Sequence, residues 1–141
     1  MTGVQQLMDN QGSDLRTAAR RAAERAYAPY SGYKVGAALV TETGHCHVGA
    51  NVENASYGLT ICAERVALFE AVIGEGFPAR VQRMVIVGPN SSNCAPCGAC
   101  RQVLAELAPD AEISFQQHGG WVTYSAADLL PMAFSPSDLT T

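Results

Sequence analysis

The chain of 141 residues carries a formal net charge of −4, from nine basic and thirteen acidic residues, and is 48% hydrophobic against 16% charged. That length suits one domain, expected over residues 1–141, and is too short for two full cores. An acidic chain whose one lysine is Lys34 argues against a nucleic-acid polymer as partner; no run nears the roughly 20 apolar residues of a membrane span, and the opening Met1-Thr2-Gly3-Val4-Gln5-Gln6 lacks a signal-peptide core, so the cytoplasm is the expected compartment.

Ser13 is placed to cap a helix over about residues 14–28, because Leu15, Ala18, Ala19, Ala22 and Ala26 fall on one helical face and Pro29 stops it. The basic cluster on that helix, Arg16, Arg20, Arg21 and Arg25, reads as a solvated face. Residues 30–34 form a loop pivoting on Gly32, and Val35-Gly36-Ala37-Ala38-Leu39-Val40 is a short apolar run of the kind buried on both faces of a sheet. Thr43-Gly44 turns the chain into a second strand, about residues 45–50, paired antiparallel with the first. Alternation in that strand puts His45 and His47 on one face and Cys46 on the other, so the trio reads as surface hairpin residues and not as a metal cluster.

Residues 51–61 carry no period and read as a functional loop feeding a helix that starts at Cys62. That helix, ending before Gly74 and Gly76, is apolar almost all round and is expected to lie between the sheet and a partner subunit. A third strand is predicted over residues 81–88, then a Ser- and Asn-rich loop, then a helix over about 97–107 that Pro109 terminates. Short strands over 112–116 and 121–124 flank Gly119-Gly120, and a last short helix is expected over 125–130. Strands alternating with helices imply an α/β fold, a three-layer α/β/α sandwich around a mixed sheet of about five strands.

Two segments carry the chemistry, Cys62-Ala63-Glu64 and Pro96-Cys97-Gly98-Ala99-Cys100. Three thiolates from separated segments can hold Zn²⁺ and leave its fourth tetrahedral position open, the arrangement of a catalytic zinc. Both segments fall at predicted helix starts, where unpaired amides and the positive end of the dipole favour thiolate over thiol. Glu64 is badly placed to join the same metal and is left free to handle protons. A lone C-x-x-C suits a structural zinc or a redox pair equally; the second segment with its carboxylate is what turns the reading toward catalysis. Cys94 extends the run to C-x-x-C-x-x-C, but no fourth cysteine continues it toward an iron–sulfur set, and Cys94 reads as a free loop thiol. Three thiolates give the zinc complex a formal negative charge, and Arg65 is the cation placed to offset it by donating hydrogen bonds to the sulfurs.

The two segments match the signature of the zinc deaminases, and the stretches from Asn51-Val52-Glu53-Asn54 through Cys62-Ala63-Glu64-Arg65 and from Pro96 to Leu104 closely resemble the small homotetrameric cytidine deaminases. Tyr30-Ser31-Gly32-Tyr33-Lys34-Val35 and Leu129-Leu130-Pro131-Met132-Ala133-Phe134 are similar to two further landmarks of that family, so the resemblance covers roughly residues 14–135, the expected core. It implies one Zn²⁺ per chain on Cys62, Cys97 and Cys100, and Glu64 as the proton carrier between attacking water, ring N3 and departing amine. It implies that Asn51 and Glu53 hydrogen-bond the sugar hydroxyls, that Tyr33 and Ala63 lie against the substrate, and that Phe134 reaches the site of a neighbouring subunit in a homotetramer. Tyr33 stands where the family often has phenylalanine, a departure whose hydroxyl bears on which nucleoside is admitted.

The implied activity is hydrolytic deamination of cytidine and 2'-deoxycytidine in pyrimidine salvage. A deaminase of modified cytosine nucleosides, an RNA-editing enzyme and a structural zinc module that binds a partner are the alternatives. Asn51 and Glu53 suit a free ribose, an editor should display a basic groove that this chain lacks, and a structural module predicts that Glu64 is dispensable. Apolar composition and the all-round apolar helix point by themselves to association; the number four comes from the resemblance.

Overall fold

The structure, a computed structural model, describes residues 3–140, with side chains from residue 14 onward. An interior strand, β1 (Gly36–Thr41), is buried along its whole length because both faces of the sheet are covered. β2 (Cys46–Ala50) and β3 (Val81–Val87) flank it, both antiparallel. β4 (Glu112–Gln117) runs parallel to β3 and β5 (Gly120–Ser125) returns antiparallel at the edge, giving the order β2-β1-β3-β4-β5. His118 and Gly119, at φ of 51° and 81°, close the last hairpin in a two-residue turn whose twist suits antiparallel strands. The mixed five-stranded sheet is the one expected from the alternation of elements.

Period-two alternation divides the side chains of the sheet between two cores. Ala37 and Leu39 of β1, Met84 and Ile86 of β3, and Ile113 and Phe115 of β4 meet Ala67, Leu68 and Ala71 of α2 (Ala63–Glu75) and Leu104 of α3 (Gly98–Leu107). Ala38, Val40, Val85 and Val87 face the other way, onto Leu15 and Ala19 of α1 (Gly3–Glu24). The result is three layers, with α1 alone on one face. Two glycines set how closely the helices approach: a Cβ on Gly36 would stand 1.8 Å from the Ala19 carbonyl, and one on Gly49 would stand 2.5 Å from both Ala63 O and Ala67 N. At those points α1 and α2 rest directly on strand backbone. Among the described residues no helix is long and apolar enough to cross a membrane.

Several element bounds differ from those predicted. α1 begins at Gly3, since nothing upstream of Ser13 breaks a helix except a tolerated glycine, and Ser13 lies inside the helix instead of at its N-cap. It also ends at Glu24 and not near residue 28. The N–H groups of Arg25 and Ala26 tighten onto Ala22 and Ala23 (2.9 and 3.1 Å), and Tyr27 then pairs with the 51–53 segment, donating to Asn51 O (3.0 Å) and accepting from Glu53 N–H (2.8 Å). Ser125 ends β5 and residues 126–130 form turns and no helix: Arg101 Nη1 takes the Leu129 carbonyl at 3.1 Å and Pro131 has no N–H, so a second turn cannot propagate.

The hairpin trio also divides. His45 and Cys46 are exposed as expected, but His47 is half-buried, with Nε2 2.5 Å from Glu75 Oε2 and Nδ1 3.5 Å from Glu70 Oε1. It shares with Gly49 the face of β2 that α2 covers, which a strand pattern read alone could not assign to the inside. On the outer side of α2, Phe69 and Ile73 remain exposed, so this helix does present apolar residues in two directions.

Candidate active site

Cys62 and Cys97 are the N-cap residues of α2 and α3, both in extended conformation, and neither side chain caps its own helix, which leaves both sulfurs free to turn toward a common point. Cys100, buried in the first turn of α3, completes the group: the three Sγ atoms lie within 4.8 Å of one another, Cys62 and Cys97 at 3.8 Å. Zn–S bonds of about 2.3 Å in tetrahedral geometry require sulfurs about 3.8 Å apart. The spacing therefore fits a zinc ion, and among the described residues no fourth side chain joins the set, which leaves one coordination position open.

The sulfurs sit in an electropositive setting. A hydrogen bond from Cys100, reinforced by Arg65 with Nη2 3.3 Å away, brings the Cys62 thiol down to about 5; the same contact with Cys62, together with burial, pushes the Cys100 thiol up. Its contact with the Cys62 sulfur raises the pKa of the Arg65 guanidinium, keeping it cationic. Arg65 Nε is the one buried side-chain donor without a partner among the described residues, beside sulfurs that become fully anionic when they bind metal. Glu64 follows in the first turn of α2 at 4% exposure, and burial pushes its carboxyl up, with the Cys62 charge adding to the effect. A carboxyl raised in this way is suited both to take and to give a proton.

Cys62, Cys97 and Glu64 line a cavity of about 360 Å³, within the ~300–1,000 Å³ range of small-molecule sites. Tyr33, Asn51, Ala63 and Thr60 share its walls. Asn51 is buried; its Oδ1 accepts the Val35 N–H and its Nδ2 donates to Tyr33 O, each at 2.8 Å, which leaves one amide hydrogen and one lone pair unspent. Glu53 lies in an adjoining hollow of about 320 Å³ that shares Ser31 and Thr60 with the first. Its carboxylate accepts from Ser31 Oγ (2.5 Å) and from the N–H groups of Tyr30 (2.9 Å) and Ser31 (3.2 Å), bonds that lower its pKa, the hydroxyl foremost. Phe134 is outside both hollows, 61% exposed, with its carbonyl held by Gln102 Nε2 at 2.8 Å.

Two contributors escaped the sequence reading. Cys94 is a free loop thiol as expected, and its side chain is buried in the cavity wall, where burial pushes its thiol up to about 12. Its spacing from Cys97 was its one trace in the sequence. Arg101 fastens the metal loop, with Nε donating to the Pro96 carbonyl at 2.8 Å while Nη1 reaches Leu129; no motif marks that role apart from its place after Cys100.

The family described as the cytidine and deoxycytidylate deaminase zinc-binding region matches residues 9–116. The cytidine deaminase of Halalkalibacterium halodurans is 46% identical over 121 residues, covering 84% of this chain and 90% of its own. That of Mycobacterium tuberculosis is 42% identical over 130 residues, covering 89% and 90%. The crystal structure of cytidine deaminase from Burkholderia pseudomallei superposes with a TM-score of 0.80 at 51% identity, over 86% of this chain and 98% of that one. With three thiols at zinc spacing beside a buried carboxyl, and relatives that match almost end to end, the chain belongs to the zinc-binding cytidine and deoxycytidylate deaminase family.

Proposed function

We propose that the protein hydrolyses cytidine and 2'-deoxycytidine to uridine and 2'-deoxyuridine with release of ammonia. The observation that carries this reading is the buried Glu64 carboxyl, raised in pKa, in one cavity with Cys62 and Cys97 of the thiol cluster. Cys62, Cys97 and Cys100 would hold one zinc per chain, and a bound zinc supplies Lewis acidity and a water acidic enough to attack at neutral pH. Glu64 takes a proton from the attacking water and delivers it to N3, which makes the adjacent C4 electrophilic as the water oxygen adds there; it then takes the proton of the hydroxyl added at C4 and gives it to the amine, which leaves as ammonia while the C4 carbonyl forms. One carboxylate serves both steps because N3 and the amine are bonded to the same carbon. Arg65 draws charge from the sulfurs. The unspent N–H and lone pair of Asn51 suit one sugar hydroxyl, and Glu53, kept ionised by Ser31, suits another. Tyr33 and Ala63 wall the base.

Residues 1–141 act on this reading as one catalytic domain, and the working unit is a homotetramer in which Phe134 enters a neighbouring site. The exposure of Phe134, Phe69 and Ile73 in the single chain supports association. Five free thiols suit a reducing compartment, and pyrimidine salvage in the cytoplasm is the proposed setting. Glu64→Gln tests the chemistry, since it keeps the shape and the metal ligands while removing proton transfer. Zinc measured by mass spectrometry should equal wild type while uridine formation falls by ~10⁴-fold or more. Near-normal turnover in that variant would leave a structural zinc module as the better reading.

A further inference from the structure

Tyr33 carries a hydroxyl that the proposed reaction does not use. It donates to the Asn93 carbonyl at 2.8 Å and lies 2.9 Å from Ser92 Oγ. Gly88 comes so near that a Cβ there would stand 2.9 Å from the same oxygen, 3.1 Å from Ser92 Oγ and 3.2 Å from Cys94 Sγ. Gly88, Ser92 and Cys94 thus curl around one phenol oxygen. The segment they belong to needs outside support, because Asn90 and Ser91 stand at φ of 51° and 57°, a region that side chains rarely adopt. Its other ties run to the β4–β5 hairpin, from Cys94 N–H to Gln116 O (3.0 Å) and from His118 N–H to Asn93 Oδ1 (2.7 Å).

Asn93, Cys94 and Ala95 form cavity wall, as do Tyr33, Val35 and Asn51. The two segments are far apart in sequence, and Tyr33 Oη is a hydrogen-bonded link between them. We propose that the Tyr33 hydroxyl is a positioning group that buckles the two walls together, setting the cavity's width beside Asn93–Ala95 and hence which cytosine nucleosides fit. The nucleoside part rests on the deaminase reading above; the mechanical part does not.

Tyr33→Phe removes the hydroxyl and keeps the ring, and Ser92→Ala removes one partner while leaving the Asn93 carbonyl. Iodoacetamide labelling of Cys94, followed peptide by peptide on zinc-loaded protein, reads the wall directly. Loss of both hydrogen bonds should speed labelling about tenfold in Tyr33→Phe, and Ser92→Ala should fall between it and wild type. In kinetics KM for cytidine should rise several-fold more than kcat changes, and cytosine nucleosides bearing one extra methyl group should gain on cytidine in kcat/KM. Labelling of Cys94 at the wild-type rate in both variants would overturn the buckle, and faster labelling with KM and selectivity unmoved would overturn its role in specificity. A wild-type protein inactive on every cytosine nucleoside would sink the deaminase reading, while the labelling rates would still decide whether the walls are joined.

Discussion

One methyl group at residue 49 should disturb stability and catalysis together. The Cβ of Gly49→Ala would stand 2.5 Å from Ala63 O, 2.5 Å from Ala67 N and 2.9 Å from Val66 Cβ. The first two atoms are backbone in the opening turn of α2, so no side-chain rotation relieves them. Restoring ordinary contact at 3.4 Å requires α2 and β2 to part by about 0.9 Å. Overpacking of this kind costs ~1–3 kcal/mol. Glu64 rides on that turn and Cys62 caps it, so a shift of this size should also lower turnover by ~10²-fold. Urea unfolding of zinc-loaded protein should show a lower midpoint with an unchanged slope, beside reduced kcat/KM for cytidine. Gly36→Ala is the control: its Cβ would meet Ala19 O at 1.8 Å, on the α1 side, so it should lose at least as much stability and far less turnover per folded molecule. A Gly49→Ala protein with wild-type midpoint and full activity would refute the close-approach argument.

Purified protein should carry about one zinc per chain, and Cys62→Ala, Cys97→Ala and Cys100→Ala should each lose it while Cys46→Ala and Cys94→Ala keep it; zinc loss in Cys94→Ala equal to that in Cys100→Ala would mean the ligand set is wrong. Phe134→Ala should weaken nucleoside binding or turnover with zinc intact, and light scattering that finds a fully active monomer would contradict a shared site. Hydrogen bonds from Thr43, then His47 and Thr41, hold the Glu75 carboxyl at about 2 against an ordinary 4.5. A carboxyl with a lowered folded-state pKa contributes stability above 4.5 that is lost as pH falls through 2, so the stability advantage of wild type over Glu75→Gln should shrink between those values; a gap that stays constant would count against the network.

What the residues determine alone is local in origin. The six-residue apolar run of β1, the alternation that splits the sheet's side chains between two layers, and the placing of Cys62, Cys97 and Cys100 at helix starts one turn or less from each cap all follow from periods and end effects that act within a few residues. For that reason the zinc set and its neighbouring Glu64 are legible from two short segments. Where a distant segment competes, local preference loses: Tyr27 leaves α1 to pair with residues 51–53, and the Leu129 carbonyl goes to Arg101 before a helix can continue. Tertiary packing likewise decides that His47 turns inward against Glu75, that Cys94 sinks into the cavity wall, and that the Tyr33 hydroxyl is spent on Ser92 and Asn93 instead of facing a ligand. Each of these depends on which surfaces the layers bring within hydrogen-bond reach, a relation between residues tens of positions apart that no short-range pattern encodes.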